Sequence, residues 1–277
     1  MPQIKLVALD LDGTLFNDQK QITPRTRAAI EAALQQGVAV VPATGRAVCG
    51  VPEQITAIPG VRYALTSNGA AVVDLQTGQK LVDLPFDAAL ALRVYDVIEP
   101  FGGALSIFIG GKSYTTQQNA AENMALVPPN LRRYFRDTRI EVADMRQTLH
   151  EHAHEIEKFS ILYPDEAVRT AAWQAVAAAC PAVEITSSLE RNMELNAPGV
   201  SKGPGLMALA NALGLDRREV MAVGDSGNDR TMIELAGLGV AMGNATDEVK
   251  QAADAVTADN EHDGVAQAIE RYVLGVL

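Results

Sequence analysis

The stretch "IKLVALDLDGTL", Ile4 to Leu15, runs an aliphatic, β-branched segment straight into two aspartates and a glycine. An apolar run of this length, ended by a turn signal, reads as a buried strand. Asp10 and Asp12 then lie just past its C-terminal end, where open α/β sheets bind their ligands. Side-chain alternation along extended backbone would put both carboxylates on one side, with Leu11 pointing away.

Outward from that strand, "TPRTRAAIEAALQQG" reads as a helix. Thr23 can cap it, Pro24 suits its first turn, Ala28, Ala32 and Leu34 supply part of an inward surface, and Gly37 can end it. "VAVVPATG" is the next strand, and a strand–helix–strand crossover joins parallel neighbours. The same texture returns near the C-terminus as "SKGPGLMALANALG", "EVMAVGD", "DRTMIELAG" and "LGVAMG", alternately helix and strand. Between them, strands such as "ALSIFIG", "KSYTT" and "KFSILYP" mix with helices such as "EAVRTAAWQAVAAA". The sequence therefore predicts an α/β protein with a Rossmann-like parallel-sheet core from residues 1–84 and 192–277. An α+β domain, residues 85–191, is inserted into it. The length of 277 residues suits two cores, because single cores stop growing at roughly 250 to 300 residues.

A formal charge of -11 disfavours nucleic acid and anionic membranes as partners, since both need a basic footprint. It does not exclude a small phosphate ester, which a local lysine, a metal and helix N-termini can hold. Cys49 and Cys180 form no C-x-x-C pair and read as two packed thiols in a reducing compartment. With no leader pattern and no apolar span in the sequence, a cytoplasmic protein is expected. Monomer and homodimer both stay open.

A second acidic cluster, "GDSGND", follows the apolar "VMAV" and offers Asp225 and Asp229 in another strand-to-helix loop. Gathering these acids with Asp10 and Asp12 is costly, because two like charges about 4 Å apart repel by roughly 4 kcal/mol at an effective dielectric near 20. A hard divalent cation is the natural remedy, and the all-oxygen ligand set points to magnesium. The bland alternative is that each acid pair only ends a strand or caps a helix; two such clusters after apolar strands favour function. Two weaker features could serve a phosphate. Thr44, Gly45 and Arg46 follow a strand in "VVPATGR", and Lys202 opens a helix behind Ser201 in "GVSKG". A lysine in a first turn opposes the helix dipole, a cost that a bound anion would reverse.

The ordered set "DLDGTL", "ATGR", "SNGA", "GVSKG" and "GDSGND", followed by "GVAMGNA" and "ADAVTADNEHDGV", resembles the haloacid dehalogenase-like superfamily. More narrowly it is similar to the Cof-type sugar phosphatases with a large α/β cap. The resemblance covers the outer segments strongly and the middle only in architecture. It implies Asp10 as nucleophile, forming an aspartyl-phosphate, and Asp12 as the acid for the leaving alcohol and later the base for water. It implies that Thr44 and the amides of Leu11 and Gly45 hold phosphoryl oxygens, with Lys202 neutralising charge; Arg46, just past the strand in "VVPATGR", is read from that position as able to face the substrate. Magnesium would be bound by the side chains of Asp10 and Asp225 and the backbone carbonyl of Asp12. Asn228 would contact phosphate or the metal shell, and Asp229 would anchor Lys202 or a metal water. The expected reaction is hydrolysis of a small phosphorylated metabolite under a closing cap. A phosphosugar mutase of the same fold and a non-catalytic phospho-ligand-binding regulator are the alternatives.

One stretch competes for attention. "HEHAH", His150 to His154, satisfies the H-E-x-x-H pattern of zinc peptidases. Its surroundings, "RQTLHEHAHEIEK", are densely polar rather than apolar, and neither Glu166 nor Glu184 is singled out as a third ligand. A chance match on a solvated segment is expected. Asn244 in "NAT" matches a glycosylation sequon and reads as a turn, and Trp173 reads as an anchor in the core or between domains.

Overall fold

The computed structural model describes residues 3–276. Five strands come first, β1 (Leu6–Leu9), β2 (Ala39–Pro42), β3 (Tyr63–Thr66), β4 (Ala71–Asp74) and β5 (Lys80–Asp83). Six follow in the middle of the chain: β6 (Ala104–Ile109), β7 (Lys112–Thr116), β8 (Arg139–Val142), β9 (Ile156–Leu162), β10 (Glu184–Thr186) and β11 (Asn192–Asn196). The last three are β12 (Val220–Gly224), β13 (Leu238–Ala241) and β14 (Ala255–Val256).

The chain divides into two compact units. The first takes the stretch up to Gly45, then Val51–Val82 and the stretch from Ser201 onward; the second takes Arg46–Gly50 and Asp83–Val200. The central sheet of the first unit has the order β14-β13-β12-β1-β2, and every pairing in it is parallel. Leu6 pairs with both Val220 and Ala39, so β1 lies between a strand over 200 residues away and its own crossover partner. Residues Leu6 to Leu9 and Val220 to Val223 are fully buried, the continuous apolar signature of a parallel sheet covered on both faces. A smaller sheet, β3-β4-β5, with β3 and β4 antiparallel, stands beside it.

The helix Pro24–Gln35 is capped by Thr23, whose hydroxyl accepts from the Thr26 N–H at 3.2 Å. Its buried residues are Thr26, Ala29, Ile30 and Ala33; of the expected inward residues Leu34 packs half-buried against the core, while Ala28 is exposed and Ala32 only half-buried. Ile30 is the largest aliphatic side chain near the middle of the helix. The stripe that buries it runs at i, i+3, i+4 and i+7 from Thr26.

The second unit is built on a six-stranded sheet in the order β10-β11-β9-β6-β7-β8. Its pairings are antiparallel except for β7 with β8. β11 pairs with β9 and β10, so residues 192–196 belong to this sheet rather than to the core segment that the sequence reading began at residue 192. The short segment after the "ATGR" loop is held in this unit as well. Cys49 N–H donates to Gly111 O at 3.1 Å, and the Arg46 guanidinium lies 4.1 Å from the centre of the Tyr134 ring. The molecule is α/β, a parallel-sheet core carrying an inserted α+β domain.

Candidate active site

The first unit gathers its acids at the C-terminal ends of β1 and β12. Asp10 extends the ladder past β1, its N–H donating to Val223 O at 3.0 Å. The chain then turns sharply, with Leu15 N–H bonded to Asp10 O and Phe16 N–H to Leu11 O at 3.2 and 2.9 Å. Gly13 makes this possible: its φ is +93°, and a Cβ there would stand 2.5 Å from Asp225 Oδ2. Thr14 Oγ1 donates to the other oxygen of Asp225 at 2.6 Å.

Lys202 lies at the start of the helix Lys202–Ala212 and is wholly buried. Its ammonium donates to Asp10 Oδ1 and to Asp229 Oδ1, both at 2.6 Å. The second oxygen of Asp229 accepts from the N–H groups of Asp225 and Ser226 at 2.9 and 3.0 Å. Both Asp229 oxygens are thus engaged by the protein, which makes it the brace of Lys202 and of the Asp225 loop. One oxygen from each of Asp10, Asp225 and Asp229 falls within 4.8 Å of the others, the sole such group among the described residues.

These contacts set the charges. Burial, then the Asp229 carboxylate, push Asp10 well above the usual carboxylate range, against the pull of Lys202. Burial and Asp229 likewise push Asp225 up to about 7, with the Thr14 hydrogen bond opposing. Burial works against the Lys202 ammonium, but Asp10 and Asp229 outweigh it and hold that group above the ordinary lysine value. Three carboxylates share one ammonium, and the deficit of positive charge fits a hard divalent cation between Asp10 and Asp225. All the donors are oxygens, as magnesium prefers.

The remaining expected residues divide into three groups. The Asp12 carboxylate is outside the triad and accepts from Lys20 Nζ at 2.9 Å, with both side chains about a quarter exposed. Thr44, buried beyond β2, donates its N–H to Leu65 O at 2.8 Å and accepts from the Asn68 N–H at 3.2 Å. Asn228 Nδ2 donates to Asn68 Oδ1 at 3.2 Å, so Thr44 and Asn228 meet through a residue of the "SNGA" stretch. Arg46 is packed in the second unit and donates to Gly50 O at 3.2 Å.

Several contributors were not legible as such. Thr14, Lys20 and Asn68 carried no individual signal, although "SNGA" stood in the ordered set. Ser67 and Asn68 are buried at positive φ, +51° and +57°, a strained conformation that clusters at functional sites. Next to them Gly69, at φ +94°, lies where a Cβ would meet Ser201 O at 2.3 Å. That close approach seats the turn against the start of the Lys202 helix. Asn244, the sequon residue, donates to Gly13 O at 2.8 Å and so braces the first acidic loop. In "HEHAH" the helix Met145–Glu151 ends inside the motif, and His150 and His154 are both exposed, so the two rings do not share a helix face.

Residues 7–269 match the haloacid dehalogenase-like hydrolase family. The chain is 34% identical over 271 residues to the 5-amino-6-(5-phospho-D-ribitylamino)uracil phosphatase YcsE of Bacillus subtilis, covering 98% of this chain and 96% of that one. It is 30% identical to the phosphatase YwpJ of the same organism, over 98% of this chain and all of that one. Among solved structures, a haloacid dehalogenase-like hydrolase from B. subtilis superposes with a TM-score of 0.83 at 30% identity, covering 96% of this chain and 99% of that one. The chain belongs to the haloacid dehalogenase-like hydrolases, in their Cof-type branch. It is an enzyme, a phosphatase of that family.

Proposed function

We propose that this phosphatase is magnesium-dependent and hydrolyses small phosphomonoesters, sugar phosphates or related metabolites, through an aspartyl-phosphate on Asp10. The observation that carries the reading is the buried Lys202 ammonium, 2.6 Å from both Asp10 and Asp229, beside the carboxylate group completed by Asp225. A cation held by Asp10, Asp225 and the Asp12 carbonyl would neutralise phosphoryl charge as a Lewis acid.

The chain's own groups account for the rest. Lys202 fixes the Asp10 carboxylate, whose oxygen attacks phosphorus while the ester P–O bond breaks. Asp12 gives its proton to the departing alcohol oxygen. A water then attacks the phosphoryl group, its proton passes to Asp12, and the acyl-phosphate P–O bond breaks to release phosphate and restore Asp10. Thr44, with the amides of Leu11 and Gly45, is assigned to phosphoryl oxygens, Asn228 to phosphate or the metal shell, and Arg46 to the substrate. Covalent catalysis divides one difficult displacement into two, and a positioned acid and base contributes about 10² to 10⁴ in rate. The inserted domain is assigned the part of the cap. A cytoplasmic location is proposed on the free thiols of Cys49 and Cys180. Among the described residues no helix is long and apolar enough to cross a membrane.

Phosphate release from a panel of phosphomonoesters, with and without magnesium, tests this directly. The panel includes 5-amino-6-(5-phospho-D-ribitylamino)uracil, the substrate named for one relative. Release should require magnesium and fall by about 10⁴ or more in Asp10→Asn, as when a covalent nucleophile is removed. Interconversion of sugar phosphates without release would instead identify a mutase, and binding without turnover a regulator.

A further inference from the structure

A cavity of about 400 Å³ opens in the first unit, at the end of the parallel sheet away from the acids. Its walls include Ile4, just before β1, Arg218, just before β12, and Leu238, which begins β13. Asp10 and Asp225 follow the same β1 and β12 at their other ends. At the rise of a strand, roughly 3.3 Å per residue, the path from Ile4 to Asp10 is about 20 Å. The cavity is therefore separate from the acidic site.

Its floor is apolar and its charge is positive. Leu238, Tyr272, Val273 and Leu274 pack half-buried against the core and line the cavity. Arg218 and Arg271 also line it, and no acidic side chain does so among the described residues, although the chain carries a formal charge of -11. Arg218 spends one edge of its guanidinium on Asp216, through Nε at 2.7 Å and Nη2 at 3.3 Å, which leaves Nη1 for another acceptor. Arg271 pairs with no carboxylate among the described residues; its guanidinium lies 5.3 Å from the ring centre of Tyr272. The neighbouring acids are engaged elsewhere, Glu219 by Lys5 and Glu270 by Arg25, each at 2.6 Å.

The backbone is shaped around this space. At Gly237 a Cβ would stand 2.5 Å from both Arg217 O and Arg218 Cα, so glycine lets the turn that carries Arg218 close on the start of β13. Arg217 fixes that turn by donating to Glu234 O and Ala236 O at 3.0 and 3.3 Å. Another wall is a π turn, Glu270–Leu274, closed by Gly275 at φ +67° with Val276 N–H bonded to Glu270 O at 3.0 Å. Such wide turns are rare and are frequent at functional sites.

We propose that this cavity is a second ligand site, and that it takes a small organic anion with an apolar body. The head group meets Arg218 and Arg271, and the body lies against Tyr272, Val273 and Leu274. The volume falls in the range of small-molecule pockets, about 300 to 1,000 Å³. A guanidinium can hold a carboxylate or a phosphate-like head through two N–H groups at once. A neutral compound of the same shape would leave both guanidinium groups without that acceptor. The site stands independently of the phosphatase mechanism, so either can fail alone.

Isothermal titration of the full chain with 2-naphthoate, naphthalene-2-sulfonate and 2-naphthalenemethanol tests the proposal, with magnesium and again with EDTA. The first two carry a planar and a tetrahedral anionic head on one body, and the third carries a neutral head. At least one anion should bind one site per chain about tenfold more tightly than the alcohol, the scale of a charged hydrogen bond. The tighter anion identifies the head that the site prefers. Arg271→Gln, at an exposed position, should weaken anion binding by a similar factor and leave alcohol binding and phosphate release unchanged. Should that variant not fold, Arg218→Gln is read by the same criterion. Anion binding that the arginine variant spares, or that requires magnesium, overturns the proposal, because the ligand then lies elsewhere or among the catalytic acids. Equal affinity for anion and alcohol, or no anion binding at millimolar concentration, overturns it too. A dimer in sedimentation equilibrium that Arg271→Gln dissociates would also overturn it and make this face a contact between copies of the chain.

Discussion

Each unit buries a lysine almost completely, and the two lysines keep different company. Lys202 stands between Asp10 and Asp229, with Asp225 close by; Lys158 pairs with Glu194 and lies over Phe108. The first cluster is short of positive charge and raises the proton affinity of its own carboxylates, so it is suited to a cation and a phosphoryl group. The second pairs an ammonium with a carboxylate against an aromatic ring inside a packed sheet. Burial of a charged side chain is thus not one signal but two, separated by the company it keeps.

The sharpest way to break this comparison is to remove each lysine in turn. Lys202→Met strands two buried carboxylates and should destabilise the protein by about 3 to 5 kcal/mol, with phosphatase activity lost. Lys158→Met breaks the pair with Glu194 and should cost less. Denaturant unfolding of both variants measures the difference, and equal losses would erase the distinction.

The next effect is on pH. In the metal-free protein, burial and the Asp229 carboxylate let Asp225 keep its proton to a higher pH than in the unfolded chain. Its contribution to stability is therefore fully present below the ordinary value of 3.8 and is lost as pH rises through about 7. Thermal melts without divalent cation should show the midpoint falling across that window. Magnesium at a hundredfold excess over Kd should recover about 2.7 kcal/mol at pH 8, and less than that at pH 5, where protons compete for its ligands. A magnesium effect independent of pH would separate the raised carboxylates from the cation site.

Gly13→Ala probes the turn that brings the two acidic loops together. Its positive φ and the 2.5 Å approach to Asp225 predict a loss of about 1 to 3 kcal/mol, together with weaker magnesium activation. Isothermal titration with magnesium would measure the second effect. The smallest effect is expected on the exposed face of the second unit. His150→Ala/His154→Ala should change stability by no more than about 0.5 kcal/mol and leave phosphate release intact. Zinc-dependent peptidase activity that vanished in this variant would overturn the reading of "HEHAH".

The acids that end β1 and β12 were legible because the sequence places each directly after an apolar run, where strand, turn and carboxylate are local facts. Lys202 was legible as an anomaly, a cation at a helix start. Its role was not, because the two carboxylates that justify it are 192 and 27 residues away. Thr44 and Asn228 stood out separately, and Asn68 connects them only once their loops meet. On the first helix Leu34 does pack against the core, but the two alanines were misread by one position, because several alanines fit either face and Ile30 decides between them.

Composition and local periodicity determined the α/β class, the alternation of strand and helix, and the residues able to do phosphate chemistry with an oxygen-bound cation. They did so because burial on both faces and turn chemistry leave a mark within a few residues. Tertiary structure decided that β12 lies beside β1, that Asp229 spends its oxygens on Lys202 and two backbone amides, and that β11 completes the second sheet. It also decided that Lys158 and Glu194 share one face. Strand order and register depend on contacts between distant segments, whose free energy belongs to the packed pair and to neither stretch of sequence alone.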